Sequence, residues 1–137
     1  MVDKFHREIE ENQLASQINH KAPSILIIKG GFTPGGQVRV VNVTNGGRKQ
    51  TVKPEHLVIL ENSQAIGISE GIIEKTHEKI EAINNKMLTE ELYNEHIESC
   101  LRAISNHEHN IQNMNTFIEI VRANPRNPGG GISFKPR

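Results

Sequence analysis

The stretch "GGFTPGGQVRVVNVTNGGRKQTVKPEHLVILE", residues 30–61, carries Val38, Val40 and Val43 among polar residues. A β-branched and polar alternation of this kind belongs to a strand with one buried face. Asn45-Gly46-Gly47 supplies the positive-φ residues of a tight hairpin turn. Pro54 has no amide proton for a ladder hydrogen bond, so the chain there lies at a sheet edge or a break. Together with the β-branched run in "KAPSILIIKGG", residues 21–31, the segment reads as three or four antiparallel strands. Upstream, "DKFHREIEENQLASQINH" spaces Phe5, Ile9, Leu14 and Ile18 loosely at helical intervals, which predicts a short amphipathic helix.

Downstream the period changes. Ile73, Thr76, Ile80, Ile83 and Met87 follow steps of three and four, and Ser69 is a candidate N-cap for this first helix. Thr89 is a candidate cap for a second, in which Tyr93, Ile97, Cys100, Ile104, His107, Ile111, Met114, Ile118 and Val121 keep the same rhythm. The turn between them falls at "NNKMLT", residues 84–89, and Pro125 ends the second helix. The expected fold class is therefore α+β. A helix and antiparallel β unit spans residues 1–64, a helical hairpin 65–124, and a Gly/Pro-rich basic tail 125–137.

On this spacing the first helix is roughly 27 Å long and the second roughly 50 Å. About four turns of the second would then project, with Ile111, Met114, Phe117, Ile118 and Val121 unpaired. Each large apolar side chain left in water forgoes roughly 1.5–3 kcal/mol. A homo-oligomer, a dimer or higher, formed through the 93–121 seam is expected to cover it.

Composition narrows the function. Sixteen basic residues balance sixteen acidic ones, which argues against coating duplex DNA through many phosphate contacts. The single Cys100 cannot form an internal disulfide, and neither a membrane-spanning run nor a signal-like start is present, so cytoplasmic residence without membrane partners is expected. No Walker loop or tight carboxylate pair appears, so the chain is expected to be no enzyme and to need no cofactor.

Seven histidines invite a search for metal ligands, and His96 and Cys100 share a helical face. Cys100 and His107 fall on the apolar seam, however, and no compact second ligand pair accompanies them, so no metal site is expected. Gly30-Gly31, Gly35-Gly36 and Gly46-Gly47 fit hairpin turns, and alternatively present amides to a phosphate. Arg39 and Arg48 are a second anion candidate on the sheet, with Lys49 and Lys53 beside them. Arg122, on the last helical turn, and Arg126, just past Pro125, form the leading candidate: either a bidentate phosphate clamp or, for Arg122, a complement to the helix dipole. In the remaining tail, Ile132 and Phe134 alternate as if to add a strand to a neighbouring β unit.

Two resemblances extend the picture. Residues 32–60 resemble an SH3-like barrel of the Tudor or KOW type in strand lengths and in the small-residue turn before a Val-rich strand, which implies a nucleic-acid- or protein-binding module. The whole layout, a β unit followed by a helical hairpin with "VRANPR" at residues 121–126, is similar to phage Thoeris anti-defence proteins. That resemblance implies an oligomeric sponge that sequesters a cyclic ADP-ribose-type nucleotide without cleaving it, in the host cytoplasm. It further implies that Arg122 and Arg126 hold phosphates, while Asn106 and an aromatic, Tyr93 or Phe117, contact base or ribose. Tyr93 stands roughly 40 Å along the helix from Arg122, so it reaches the same pocket only from another subunit or an antiparallel arrangement. The alternatives are a KOW-like nucleic-acid-binding regulator and a protein–protein adaptor built on the hairpin.

Overall fold

The computed structural model describes residues 1–18 and 24–131. Five strands, β1 (Leu14–Gln17), β2 (Leu26–Phe32), β3 (Val38–Asn42), β4 (Arg48–Val52) and β5 (Leu57–Ile59), form one antiparallel sheet in the order β4-β3-β2-β1-β5. Two helices follow, α1 (Asn62–Thr89) and α2 (Asn94–Ala123), so the α+β class holds. The closing strand β5 returns to pair with β1, an order consistent with an SH3-like unit. Pro54 breaks the ladder as expected: it opens a single 3₁₀ turn, Pro54–His56, between β4 and β5. The Asn45-Gly46-Gly47 turn closes the β3–β4 hairpin. Gly46 and Gly47 both take positive φ, which only glycine adopts freely, and the Gly47 amide donates to the Asn42 carbonyl.

The N-terminal helix does not form. Residues Leu14–Gln17 are β1, wedged between β2 and β5, and the residues before them make a compact loop bridged at Val2 and Glu8. Asp3 explains why. Its carboxylate accepts the amides of Phe5 and Arg7, a local bonding pattern that competes with helix, and also the Ile59 amide of β5. Burial by itself pushes the Asp3 carboxyl up, but the three backbone donors and the Arg7 guanidinium outweigh it and hold the pKa below its ordinary value of 3.8.

The helices also differ from expectation. α1 begins at Asn62, where Gln64 Oε1 accepts the Glu61 amide as one half of a capping box, and it runs through Gly67 and Gly71 to Thr89. Ser69 is not a cap. It is buried within α1 and donates to the Ala65 carbonyl one turn back, as Thr76 does to Ile72. Thr89 ends α1, donating to the Asn85 carbonyl, and Tyr93 is the N-cap of α2. The turn is thus residues 90–93 rather than 84–89.

The helices contain 28 and 30 residues, so at about 42 Å and about 45 Å they match, and the expected overhang does not exist. Glycines in a helix interior are tolerated at roughly 1 kcal/mol each when tertiary packing compensates, and the packing is visible here. Strand β2 is buried on both faces: Leu26 and Ile28 join Val38, Val40, Val52, Leu57 and Ile59 in the inner core of the sheet. Ile25 and Ile27 join Leu14, Val43, Ala65, Met114, Phe117 and Val121 in a second core between sheet and helices. Met114, Phe117, Ile118 and Val121, expected to await a second subunit, are covered by the same chain's own sheet and α1.

This packing stops partway along the hairpin. Between Thr76 on α1 and Met114 on α2 no residue is buried, and Ile80, Ile83, Met87, Ile97, Ile104 and Ile111 are only half-covered. The hairpin is therefore anchored at its base and projects as a two-helix arm.

Candidate ligand-binding site

After α2 the chain hooks back onto the sheet. Asn124 ends the helix, its side-chain amide donating to the Ile120 carbonyl, and the side chain of Asn62 donates to the Pro125 carbonyl at 2.8 Å. The 3₁₀ turn Pro128–Gly131 then docks on the loop before β1, with the Gly129 amide 3.0 Å from the Asn12 carbonyl. Gly129 is buried there, and a Cβ at that position would collide with the Asn12 carbonyl oxygen. The first part of the basic tail is therefore a fixed hook. The strand expected of Ile132 and Phe134 lies outside the described residues, as do Lys135 and Arg137.

The hook and the end of α2 place the two arginines close in the chain at the base of the hairpin. Arg122 is exposed on the last turn of α2, and Arg126 is exposed in the turn that follows. Neither forms an ion pair among the described residues, where the pairs are Arg7 with Asp3 and the N-terminal amine with Glu8. Arg122 lies at one end of an open groove of ≈ 700 Å³ between the helices, whose walls are Glu70, Ile73, Glu74, His77, Asn115, Ile118, Glu119 and Arg122. Three carboxylates against one guanidinium make the groove itself repulsive to a phosphate. Arg126, in the turn past α2, is not among the residues that line the groove.

The other expected ligand contacts separate. Phe117 is 3% exposed in the sheet–helix core, so its ring is not available to a base or ribose. Tyr93 is 81% exposed at the far tip of the arm, edge-on to the His96 ring at 6.0 Å. Asn106 is exposed about midway along α2, several helical turns before Arg122. One chain does not bring Tyr93, Asn106 and the arginines together.

The second anion candidate is differently occupied. The guanidinium of Arg39 donates from Nη1 to the carbonyls of Gly30 and Phe32, bracing the bulge between Ile28 and Phe32 in β2. The Gly30 amide in turn donates to the Glu11 carboxylate at 3.0 Å, so an internal anion already fills that glycine turn. Arg48 remains exposed at the start of the edge strand β4, with Lys49 beside it and Lys53 just past the strand's end. Cys100 is half-buried and free, and the described residues contain no group of three or more His, Cys, Asp or Glu side chains placed to hold a metal ion. No described helix is long and apolar enough to cross a membrane.

Sequence spacing alone missed the groove. Glu70, Glu74 and His77 share one face of α1, and Asn115, Glu119 and Arg122 one face of α2, but only the pairing of the two helices makes them neighbours. No protein-family model matches this chain, and neither a curated protein nor a solved structure does.

Proposed function

We propose that the protein is a non-enzymatic binder that sequesters a phosphorylated small molecule, a cyclic ADP-ribose-type signalling nucleotide, and so counters a host antiviral defence of the Thoeris kind. The observation that carries this reading is the arginine pair: Arg122 and Arg126, both exposed, flank a hooked helix end and form no ion pair among the described residues. Guanidinium groups in that setting favour bidentate contact with phosphate. The fixed hook supports it, because a clamp held by Gly129 and Asn62 loses less entropy on binding than a free tail. The ring that stacks on the base comes from another copy, since Tyr93 of the same chain sits at the opposite end of α2.

The test is retention. Protein incubated with the nucleotide and desalted is expected to release it intact on heat denaturation, and Arg122→Ala with Arg126→Ala is expected to release none. Undiminished retention by the double variant would remove the clamp. A nucleic-acid-binding role is favoured by one different observation, the exposed Arg48, Lys49 and Lys53 along and just past edge strand β4. It predicts a salt-sensitive oligonucleotide shift that Arg48→Ala with Lys49→Ala abolishes.

A further inference from the structure

We propose that one face of the helical hairpin is a docking groove for a basic amphipathic helix of another protein, about five turns long. This goes beyond the nucleotide reading and does not depend on it.

The groove between the helices has an apolar floor and an acidic rim. Ile118 is buried and Ile73 half-covered at the floor, while Glu70, Glu74 and Glu119 stand exposed on the walls. The same stripes continue toward the tip of the arm. On α1, Glu70, Glu74, Glu81 and Leu88 follow at steps of four and seven, so they share one helical face. On α2, Leu101, Glu108, Asn115 and Glu119 do likewise. Because Glu70, Glu74, Asn115 and Glu119 all line the groove, both faces open on the same side of the hairpin. The lysines of α1 keep away from it: Lys75, Lys79 and Lys86 form a separate stripe roughly 140° round the helix. None of the glutamates on this face forms an ion pair among the described residues.

Two unmet demands meet on this surface. Leu88 and Leu101 are 83% and 53% exposed near the tip, in line with the apolar floor, and their burial is favourable. The glutamates call for cations. A metal ion would leave the leucines wet, and the described residues hold no group of three or more His, Cys, Asp or Glu placed for one. A nucleic acid or an anionic membrane would be repelled. An amphipathic helix with apolar anchors flanked by lysine or arginine meets both demands. Its apolar stripe lies on the floor and its cations reach the rim, as a third helix in the furrow of two. From Glu70 to Leu88 is about 27 Å, so a helix of about 18 residues fills the furrow.

The probe is a fluorescent Leu/Lys peptide of about 18 residues with helical periodicity, titrated with the full chain and followed by anisotropy. Saturable binding that weakens about tenfold or more between about 50 mM and about 300 mM salt is expected. Glu74→Lys with Glu119→Lys should weaken it about tenfold or more. Glu90→Lys with Glu91→Lys, in the turn between the helices, should change it by less than about threefold. A Leu/Glu peptide should not bind, and a Gly/Lys peptide of equal charge should bind about tenfold or more weakly than the Leu/Lys probe. No binding of the Leu/Lys peptide, equal binding of the Gly/Lys peptide, or equal losses from the two variant pairs would overturn the groove. Methyl NMR gives a readout that needs no variant. The Leu/Lys peptide should shift the Ile73 and Ile118 methyls and leave Ile28, in the inner core of the sheet, in place. Absence of those shifts would refute the proposal, as would the same shifts on concentrating the protein alone, which would give the groove to a second copy.

Discussion

Replacing Asp3 with asparagine keeps the side-chain shape and removes the charge that holds the N-terminal loop against the sheet. The Asp3 side chain is fully buried and accepts four hydrogen bonds: the amides of Phe5, Arg7 and Ile59, each at 2.9 Å, and Arg7 Nε at 3.0 Å. Asparagine keeps one acceptor oxygen and turns an NH₂ toward the other donors. The Ile59 amide is buried, and an unmade buried bond costs about 1–3 kcal/mol, while bonds to a charged acceptor contribute about 1.5–3 kcal/mol each. Because the asparagine oxygen rescues some of these, a net loss of about 2–4 kcal/mol is expected at pH 7. The pH dependence follows from the direction of the shift. The folded-state pKa is lowered, so the carboxylate's contribution is complete above the unfolded value near 4 and disappears as the pH falls through the lower folded value. Urea denaturation followed by circular dichroism should therefore show a constant gap between wild type and Asp3→Asn from about pH 5 to 7, narrowing below about pH 4. A gap under about 0.5 kcal/mol at pH 7, the ordinary scatter of surface changes, or one that does not narrow on acidification, would refute the role assigned to Asp3.

Three other perturbations probe the hook, the helix and the contrast between base and arm. Gly129→Ala should expel the C-terminal hook, because its Cβ would meet the Asn12 carbonyl oxygen. Loss of hydrogen-exchange protection at residue 129, with a stability loss of about 1–2 kcal/mol, is the expected readout. Gly67→Ala and Gly71→Ala meet no neighbouring atom, so each should stabilise the protein by about 0.5–1 kcal/mol in chemical denaturation. Phe117→Ala, a core truncation, should cost about 3–5 kcal/mol. Ile97→Ala on the half-covered arm should cost less than half as much, and equal losses would contradict the division of the hairpin into anchored base and projecting arm.

Much of the fold was legible locally. The period-two valines of β3, the glycine turn after Val43 and the proline break before β5 each carry their meaning in a few residues, as does the helical period of α2. The N-terminal segment misled because Phe5, Ile9, Leu14 and Ile18 have loose helical spacing, and nothing local reveals that Leu14 and Ala15 will pair with β2 and β5. The start of α1 misled because Ser69, set between Gly67 and Gly71, has the side chain of an N-cap. Ala65 and Ser69 hold that stretch helical by packing at the base of the hairpin, where Ala65 meets the sheet and the distant end of α2. Of the candidate site, Arg122 and Arg126 were visible as a basic pair at a helix end, while the acidic groove beside Arg122 and the bonds that occupy Arg39 were not.

Neighbouring residues suffice for the α+β class, the antiparallel β unit, the two amphipathic helices and the cationic close of α2, because periodicity, turn chemistry and charge are local properties of the chain. Which apolar stripe is spent inside the chain and which is left over is settled only when distant elements meet. The seam from Met114 to Val121 is consumed by the sheet, and the arm from His77 to Asn113 is not. Burial belongs to pairs of surfaces: a heptad pattern states that a face must be covered, and only the packing of remote elements shows what covers it.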